Sequence, residues 1–308
     1  MSTRPESLAD VSDVNCTGTV ALVTGSTHGI GRAAAQALGR LGATVIVHGR
    51  DRDAGDEVAR SIRDEGAEAT VLTADFTTPD EVRDLAQSVR SHTDGLDLLF
   101  NNAGGLFSEG RLVEDGIERT FYVNHLAPYL LTAELLDHLR DGARVITTAS
   151  EAHRGAELNL DRTRTVDGYS GMDAYARSKL ANILFASELA RRVDAAGRSL
   201  VSNSVHPGFI PGSRFWRFLP GLFSGLFQAL GVVPGTSSVA DGAAELLNVA
   251  VAPGTEDVSG RYFSGQASVT PAAAAQDHDA AVRLWARSAE MLHIEEPLAD
   301  VRRPNQGR

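Results

Sequence analysis

Residues 20–35 read Val20-Ala-Leu-Val-Thr-Gly-Ser-Thr-His-Gly-Ile-Gly31-Arg-Ala-Ala-Ala, and the fold follows from them. An apolar run enters a turn holding Gly25, Gly29 and Gly31 and leaves it as an alanine-rich helical stretch. Glycines let a backbone turn sharply and approach a ligand closely, and the free N–H groups of a helix start face an anion. The spacing is GxxxGxG, not the GxGxxG of the general dinucleotide fingerprint. Such a cluster alone also fits plain tight-turn geometry. Its place directly after the first strand favours a phosphate-binding turn built from Gly25, Ser26, Thr27, His28, Gly29, Ile30 and Gly31.

Outward from this turn, short β-branched runs alternate with longer helical patterns. Residues 19–23, 44–47, 69–72, 96–100, 144–148 and 200–205 read as strands; 31–41, 53–65, 79–91, 116–139 and 174–196 read as helices. Pro79 suits a first helical turn, with Thr77 or Thr78 as its cap. Alternation of this kind implies βαβ crossovers and hence a parallel sheet covered on both faces. The expected fold is α/β: one doubly wound (Rossmann) domain over 18–293, about seven strands, a flexible extension at 1–17 and a tail at 294–308.

Composition narrows the classes. The chain has 308 residues, 43% hydrophobic and 22% charged, enough to build a sizeable core. A net charge of -11 argues against nucleic acid and anionic membranes as partners. The single cysteine, Cys16, cannot form an intrachain disulfide, which fits a cytoplasmic setting. No signal-peptide pattern opens the chain, and no run reaches the roughly 18–20 apolar residues that span a bilayer. The nine histidines are scattered without metal-ligand spacing, so no metal is expected.

The glycine turn preceded by Thr24 resembles the TGxxxGxG turn of the short-chain dehydrogenase/reductase family. The second strand ends at His48-Gly49-Arg50, where a doubly wound fold meets the adenosine ribose about 20 residues after the glycines. An acidic residue there suits a ribose hydroxyl; Arg50 suits a 2′-phosphate, favouring NADP(H) over NAD(H). His28 stands where NADP-preferring relatives carry a basic residue. Against this, Asp51 follows at once, and Arg50 also reads as a solvated charge. The resemblance further implies that Asp75 and Phe76 meet the adenine, although Asp75 reads equally as a turn former. Asn101-Asn102-Ala103-Gly104 matches the family's NNAG, with the asparagines fixing strand packing and Asn102, Ala103 and Gly104 beside the cofactor.

Tyr175 and Lys179 lie four residues apart in a helical pattern and therefore share one face. A phenol with a reference pKa of about 10 is a poor base until a neighbouring ammonium favours its anion. A YxxxK pair also arises by chance in helical proteins. Its company matters: Ser150 at the end of a strand, 25 residues before Tyr175, and Asn124 in Phe121-Tyr-Val-Asn-His. By the family pattern Ser150 binds the substrate oxygen, Tyr175 moves its proton, Lys179 grips the nicotinamide ribose and Asn124 holds a relay water. Strand-cap and helix-bend readings exist for Ser150 and Asn124.

Ser150-Glu-Ala-His-Arg-Gly155, Ser178-Lys-Leu-Ala-Asn182, His206-Pro-Gly208 and Leu284-Trp285…Ser288 resemble the retinol dehydrogenase/protochlorophyllide reductase branch. Pro207, Gly208 and Ile210 are implied at the nicotinamide side. Here Gly212 replaces the family's threonine four residues after Gly208, with Ser213 one step away. Residues 213–234, rich in Phe, Trp and Leu, divide evenly between a substrate lid and core packing; an interfacial membrane patch fits poorly with an acidic protein. The expected partner is a small lipophilic carbonyl or alcohol, with a homo-oligomer left open. A catalytically idle NADP-binding sensor or scaffold is the competing function.

Overall fold

The structure is a computed structural model, and it describes residues 4–210 and 236–299. Strand β1 (Val20–Val23) runs into the glycine turn and helix α2 (Gly29–Arg40), after a short α1 (Pro5–Leu8). β2 (Thr44–Gly49), α3 (Arg52–Asp64), β3 (Ala69–Thr73), α4 (Pro79–His92) and β4 (Leu96–Asn101) follow. Next come α5 (Arg119–Phe121), α6 (Ala127–Leu135), β5 (Leu139–Thr148), α7 (Gly171–Ala195) and β6 (Leu200–His206). Beyond the undescribed stretch lie α8 (Val239–Val251), β7 (Tyr262–Ser264), β8 (Ala267–Val269) and α9 (His278–Met291).

The strands form one eight-stranded sheet in the order β3-β2-β1-β4-β5-β6-β7-β8. β1 to β7 are parallel, with Leu22 opposite Ile46 on one side and Leu99 on the other. Only β8 is antiparallel. It folds back through Gly265 and Gln266, both at positive φ (64° and 57°), the conformation of a tight hairpin turn. The sheet thus exceeds the expected seven strands by one hairpin arm. Three-residue strands leave too little periodicity to read.

Alternate residues of β1 feed two cores. Leu22 joins the layer under α4, α6, α7 and α9, while Ala21 and Val23 join the layer under α2, α3 and α8. All three are completely buried, and burying a side chain of Val or Leu size contributes roughly 1.5–3 kcal/mol. This double burial is what a parallel strand with helices on both faces requires.

Three expectations change. The stretch 116–139 is not one helix: a π turn (Tyr122–Leu126) separates α5 from α6, and Ala127 N–H reaches back to Tyr122 O. Pro128 has no N–H to continue the ordinary ladder, which localises the break. Thr78 is the N-cap of α4 but makes no side-chain cap bond, and Thr77, the other expected cap, gives its hydroxyl to Asp75. Both ends of the chain are fastened further than expected. Ala9, Val11 and Cys16 are buried in the α2/α8 core, so residues 4–17 are no loose extension. Ile294 and Leu298 pack on the other core, and the Trp285 indole donates to Pro297 O at 3.0 Å. Residues 213–234, read as either a substrate lid or core packing, lie outside the described residues, as does Gly212. Among the described residues, no helix is long and apolar enough to cross a membrane.

Candidate active site

The carboxyl ends of the parallel strands gather most of the residues singled out from sequence. Gly25 and Gly29 stand at positive φ (66° and 59°), a region that side chains avoid. A Cβ on Gly31 would lie 2.5 Å from Gly25 O and Asn102 Nδ2; one on Gly25 would lie 2.8 Å from Ala103 Cα. The turn is therefore packed directly on the NNAG strand end. Around Gly29, by contrast, an added Cβ meets nothing within 4 Å. His28, the N-cap of α2, supplies no side-chain cap and lies 3.0 Å from Thr27 Oγ1. The result is a backbone cradle at a helix N-terminus with open space before it, which fits a diphosphate.

Ser26 belongs to the scaffold of this cradle. Its hydroxyl accepts the His48 N–H at 3.0 Å, while its own N–H bonds His48 O. His48 is buried and stacks on Phe76 at 4.7 Å; burial lowers its imidazole to about 4, keeping it neutral so that Nδ1 accepts the Gly25 N–H at 3.3 Å. Sequence reasoning passed over this ring, for which a strand-end histidine gives no signal.

Arg50 projects from the end of β2, its side chain 61% exposed and Nη1 3.5 Å from Asp75 Oδ2. Asp75 is a turn former here: Oδ1 accepts both the N–H and the hydroxyl of Thr77, at 2.9 and 3.0 Å. Phe76 is a core residue.

Asn101 and Asn102 are structural. Asn101 Nδ2 donates to Thr132 Oγ1 at 2.9 Å, and Asn102 Nδ2 to Thr24 O at 2.8 Å. Thr24, whose hydroxyl donates to Phe100 O and accepts from the N–H groups of Asn102 and Ala103, is the second residue missed. Asn124 sits in the π turn, fully buried. Its amide brackets Gly105, accepting its N–H and donating to its carbonyl, and also donates to Ser178 Oγ. A Cβ on Gly104 would lie 2.9 Å from Asn124 Oδ1 and 3.7 Å from Lys179 Nζ, so both heads flank that glycine.

α7 carries Tyr175 and Lys179 on one face, both buried. Burial raises the Tyr175 phenol to about 12, against the opposite pull of a hydrogen bond with Ser150. Burial lowers the Lys179 ammonium to about 7. Its Nζ donates to Thr148 O at 2.8 Å and lies 5.6 Å from the Tyr175 ring centre. Ser150, Tyr175, Lys179 and Asn124 therefore lie together around the end of β5. Ser150 also caps the turn that follows it, its Oγ accepting the Ala152 N–H at 3.2 Å.

After β6 the chain passes through Pro207 and Gly208, the latter at φ 88° with no room for a Cβ beside Ser237. A Cβ on Gly242 of α8 would meet Ile210 Cδ1, Ile30 Cγ2 and Pro207 O, so this loop closes onto the start of α2.

Comparison with known proteins identifies the family. The family model described as short chain dehydrogenase matches residues 19–217. A polyprenol dehydrogenase of Mus musculus is 38% identical over 277 residues, covering 87% of this chain and 82% of that protein. Retinol dehydrogenase 14 of the same animal is 34% identical over 292 residues, covering 90% and 86%. Among solved structures, a short chain dehydrogenase from Burkholderia cenocepacia J2315 in complex with NADP superposes with a TM-score of 0.66 and 29% identity, covering 81% of this chain and 96% of that one.

Proposed function

The chain belongs to the short-chain dehydrogenase family, and from that premise we propose that it is an NADP(H)-dependent oxidoreductase acting on the alcohol or carbonyl group of a lipophilic small molecule, with Tyr175 as acid and base. The observation that carries the reading is the convergence of a serine hydroxyl, a buried phenol and a buried ammonium at the end of β5 beside the glycine cradle.

In this reading the cradle from Gly25 to Gly31 takes the diphosphate, and Arg50 takes the 2′-phosphate. Asp75 and Phe76 border the adenine side. Asn102, Ala103, Gly104, Pro207, Gly208 and Ile210 line the way to the nicotinamide, with Tyr175 and Lys179 at its end. The nicotinamide supplies hydride at its ring carbon. The protein supplies position and protons. Ser150 Oγ accepts the Ala152 N–H and shares a hydrogen bond with the Tyr175 phenol, so the two hydroxyls face the substrate oxygen as a pair. A phenol raised to about 12 holds its proton at neutral pH and delivers it as negative charge grows on that oxygen. A charged Lys179 beside it stabilises the phenolate that remains. Asn124, buried in the π turn next to Gly104, is assigned the water path by which Lys179 regains a proton.

A lipophilic substrate is supported by the polyprenol and retinol named for its relatives. Two exposed apolar side chains near the site also fit it. Met172 stands one helical turn before Tyr175 and is 47% exposed; Phe209 follows Gly208 and is 38% exposed. The test is NADPH oxidation with a panel of hydrophobic ketones and aldehydes, with Tyr175→Phe alongside. Turnover by the wild type and none by the variant supports the proposal. Equal inactivity of both proteins, with NADPH still bound, would replace it with the idle binding protein.

A further inference from the structure

One buried histidine next to the site has no part in the chemistry above. His153 lies in the 3-10 turn Glu151–Gly155 that follows Ser150, and it is 0% exposed. Its Nδ1 is 2.6 Å from Ser150 O, and its Nε2 accepts the Ala272 N–H at 3.1 Å. The partners decide the tautomer. An amide N–H can only donate, so Nε2 carries no hydrogen; a carbonyl can only accept, so Nδ1 carries one. Burial holds the imidazole below its ordinary range, against the opposite pulls of the Ser150 carbonyl and Glu151. Arg154 on the same turn reinforces that lowering.

The turn is fastened to the hairpin at the far sheet edge by more than this ring. Tyr262 of β7 donates to Glu151 Oε1 at 2.7 Å and packs edge-on against His153 at 5.0 Å. Arg154 Nη2 reaches Thr270 O at 3.4 Å. Among these contacts, only the imidazole bonds the backbone of Ser150. The Ser150 carbonyl also accepts the His153 N–H at 3.1 Å, and its hydroxyl accepts from Ala152 in the same turn. The direction of that hydroxyl is therefore set by how the turn is seated.

We propose that His153 is a positioning residue. As an Nδ1–H imidazole it ties the Ser150 carbonyl to the loop at Ala272, and so aims the Ser150 hydroxyl at the substrate oxygen and Tyr175. This rests on the oxidoreductase reading above. It extends that reading to the hairpin β7–β8, which becomes part of the site's foundation although none of its side chains reacts.

Two variants test it. His153→Phe keeps a ring against Tyr262 and removes both hydrogen bonds. His153→Asn keeps a donor at the δ position, within reach of Ser150 O. Small misplacements of reacting groups cost up to about 100-fold in rate, so kcat of His153→Phe should fall about 10- to 100-fold. KM and Kd for NADPH should stay within about twofold, since the cradle is untouched, and His153→Asn should recover about half of the lost decades. Wild-type kcat in His153→Phe overturns the proposal. So does a parallel loss of kcat and NADPH affinity without rescue by Asn, which would mark a merely structural residue. An activity-independent readout is the imidazole nitrogen spectrum of the wild type at pH 8, where the neutral ring should hold its hydrogen on Nδ1. An Nε2–H form there also overturns it. If the wild type turns over no carbonyl, the oxidoreductase reading fails by itself, and the spectrum still judges His153.

Discussion

Replacing Arg50 by alanine should separate the two nicotinamide dinucleotides. In the folded protein Arg50 Nη1 meets Asp75 Oδ2 at 3.5 Å with its side chain 61% exposed. An exposed pair of this kind contributes about 0–1 kcal/mol, and this one is long. Asp75 keeps its bonds from Thr77 when Arg50 is gone. Arg50→Ala should therefore leave Tm within about 3 °C of wild type. A phosphate offers the same guanidinium a charge-assisted fork, where a hydrogen bond contributes about 1.5–3 kcal/mol. At about 1.4 kcal/mol per decade, the variant should bind NADPH roughly 10- to 150-fold more weakly. NADH carries no 2′-phosphate and should bind both proteins alike. The measurement is a fluorescence titration of each dinucleotide at low and high salt. Added salt should narrow the NADPH difference, because an exposed arginine is screened. Equal changes for NADPH and NADH, or none for either, would refute the assignment of Arg50 to the 2′-phosphate.

Three other perturbations read different parts of the site. Tyr175→Phe removes the proton donor and should lower kcat by about 100-fold or more with NADPH affinity intact, judged by steady-state rates beside a binding titration. Gly31→Ala would set a methyl 2.5 Å from Gly25 O, a backbone atom held by its neighbours; overpacking of this kind costs roughly 1–3 kcal/mol, and an unchanged Tm with normal NADPH binding would contradict it. Acid should unfold the protein through its buried imidazoles. His48 and His125 are lowered by burial from 6.5 to about 4 and about 3. Below pH 6.5 the unfolded chain takes up protons that the folded rings refuse, so stability is full above pH 6.5 and lost as pH falls toward 4. His48→Gln should flatten the Tm-against-pH slope over that window, and an unaltered slope would count against it.

The first half of the fold was legible because each signal there is local and repeated. The glycine turn, Pro79 at a helix start and five β-branched runs each state their own geometry, and parallel pairing follows from their alternation. What the sequence concealed depends on distant partners. β7 and β8 are three residues each and exist only because β6 offers an edge. The N-terminal segment is polar to the eye, yet Ala9, Val11 and Cys16 find a core made of α2 and α8. The tail is held by a buried cation: Arg192, 0% exposed, bonds Glu188 at 2.6 Å and Glu296 at 2.9 Å and lies under Trp285 at 4.9 Å. Nothing in a helical Arg-Arg pair announces which of the two will be interior. The residues proposed to react were legible because the chemistry assigned to them restricts the choice of side chain. The roles of Thr24, His48 and His153 were not, although Thr24 and His153 stand in recognisable motifs, because their work is hydrogen bonding to backbone, which many residues do.

Lys179, Asn182 and His153 converge on one short stretch of chain. The Thr148 carbonyl accepts Lys179 Nζ at 2.8 Å and Asn182 Nδ2 at 3.0 Å. The Ser150 carbonyl accepts His153 twice, from backbone and ring. At the end of a strand these carbonyls would ordinarily turn to water, so each must find donors if the site is to be dry. Supplying them with side chains has a second consequence. The ammonium and the serine turn are measured from carbonyls two residues apart, one at the last residue of β5 and one just beyond it, while Tyr175 is measured from Lys179 by one turn of α7. Errors in loop geometry elsewhere therefore move the three groups together, and their spacing survives. A site built this way tolerates variation in the segments around it, which is what a substrate-binding surface needs if relatives are to share chemistry and differ in what they accept.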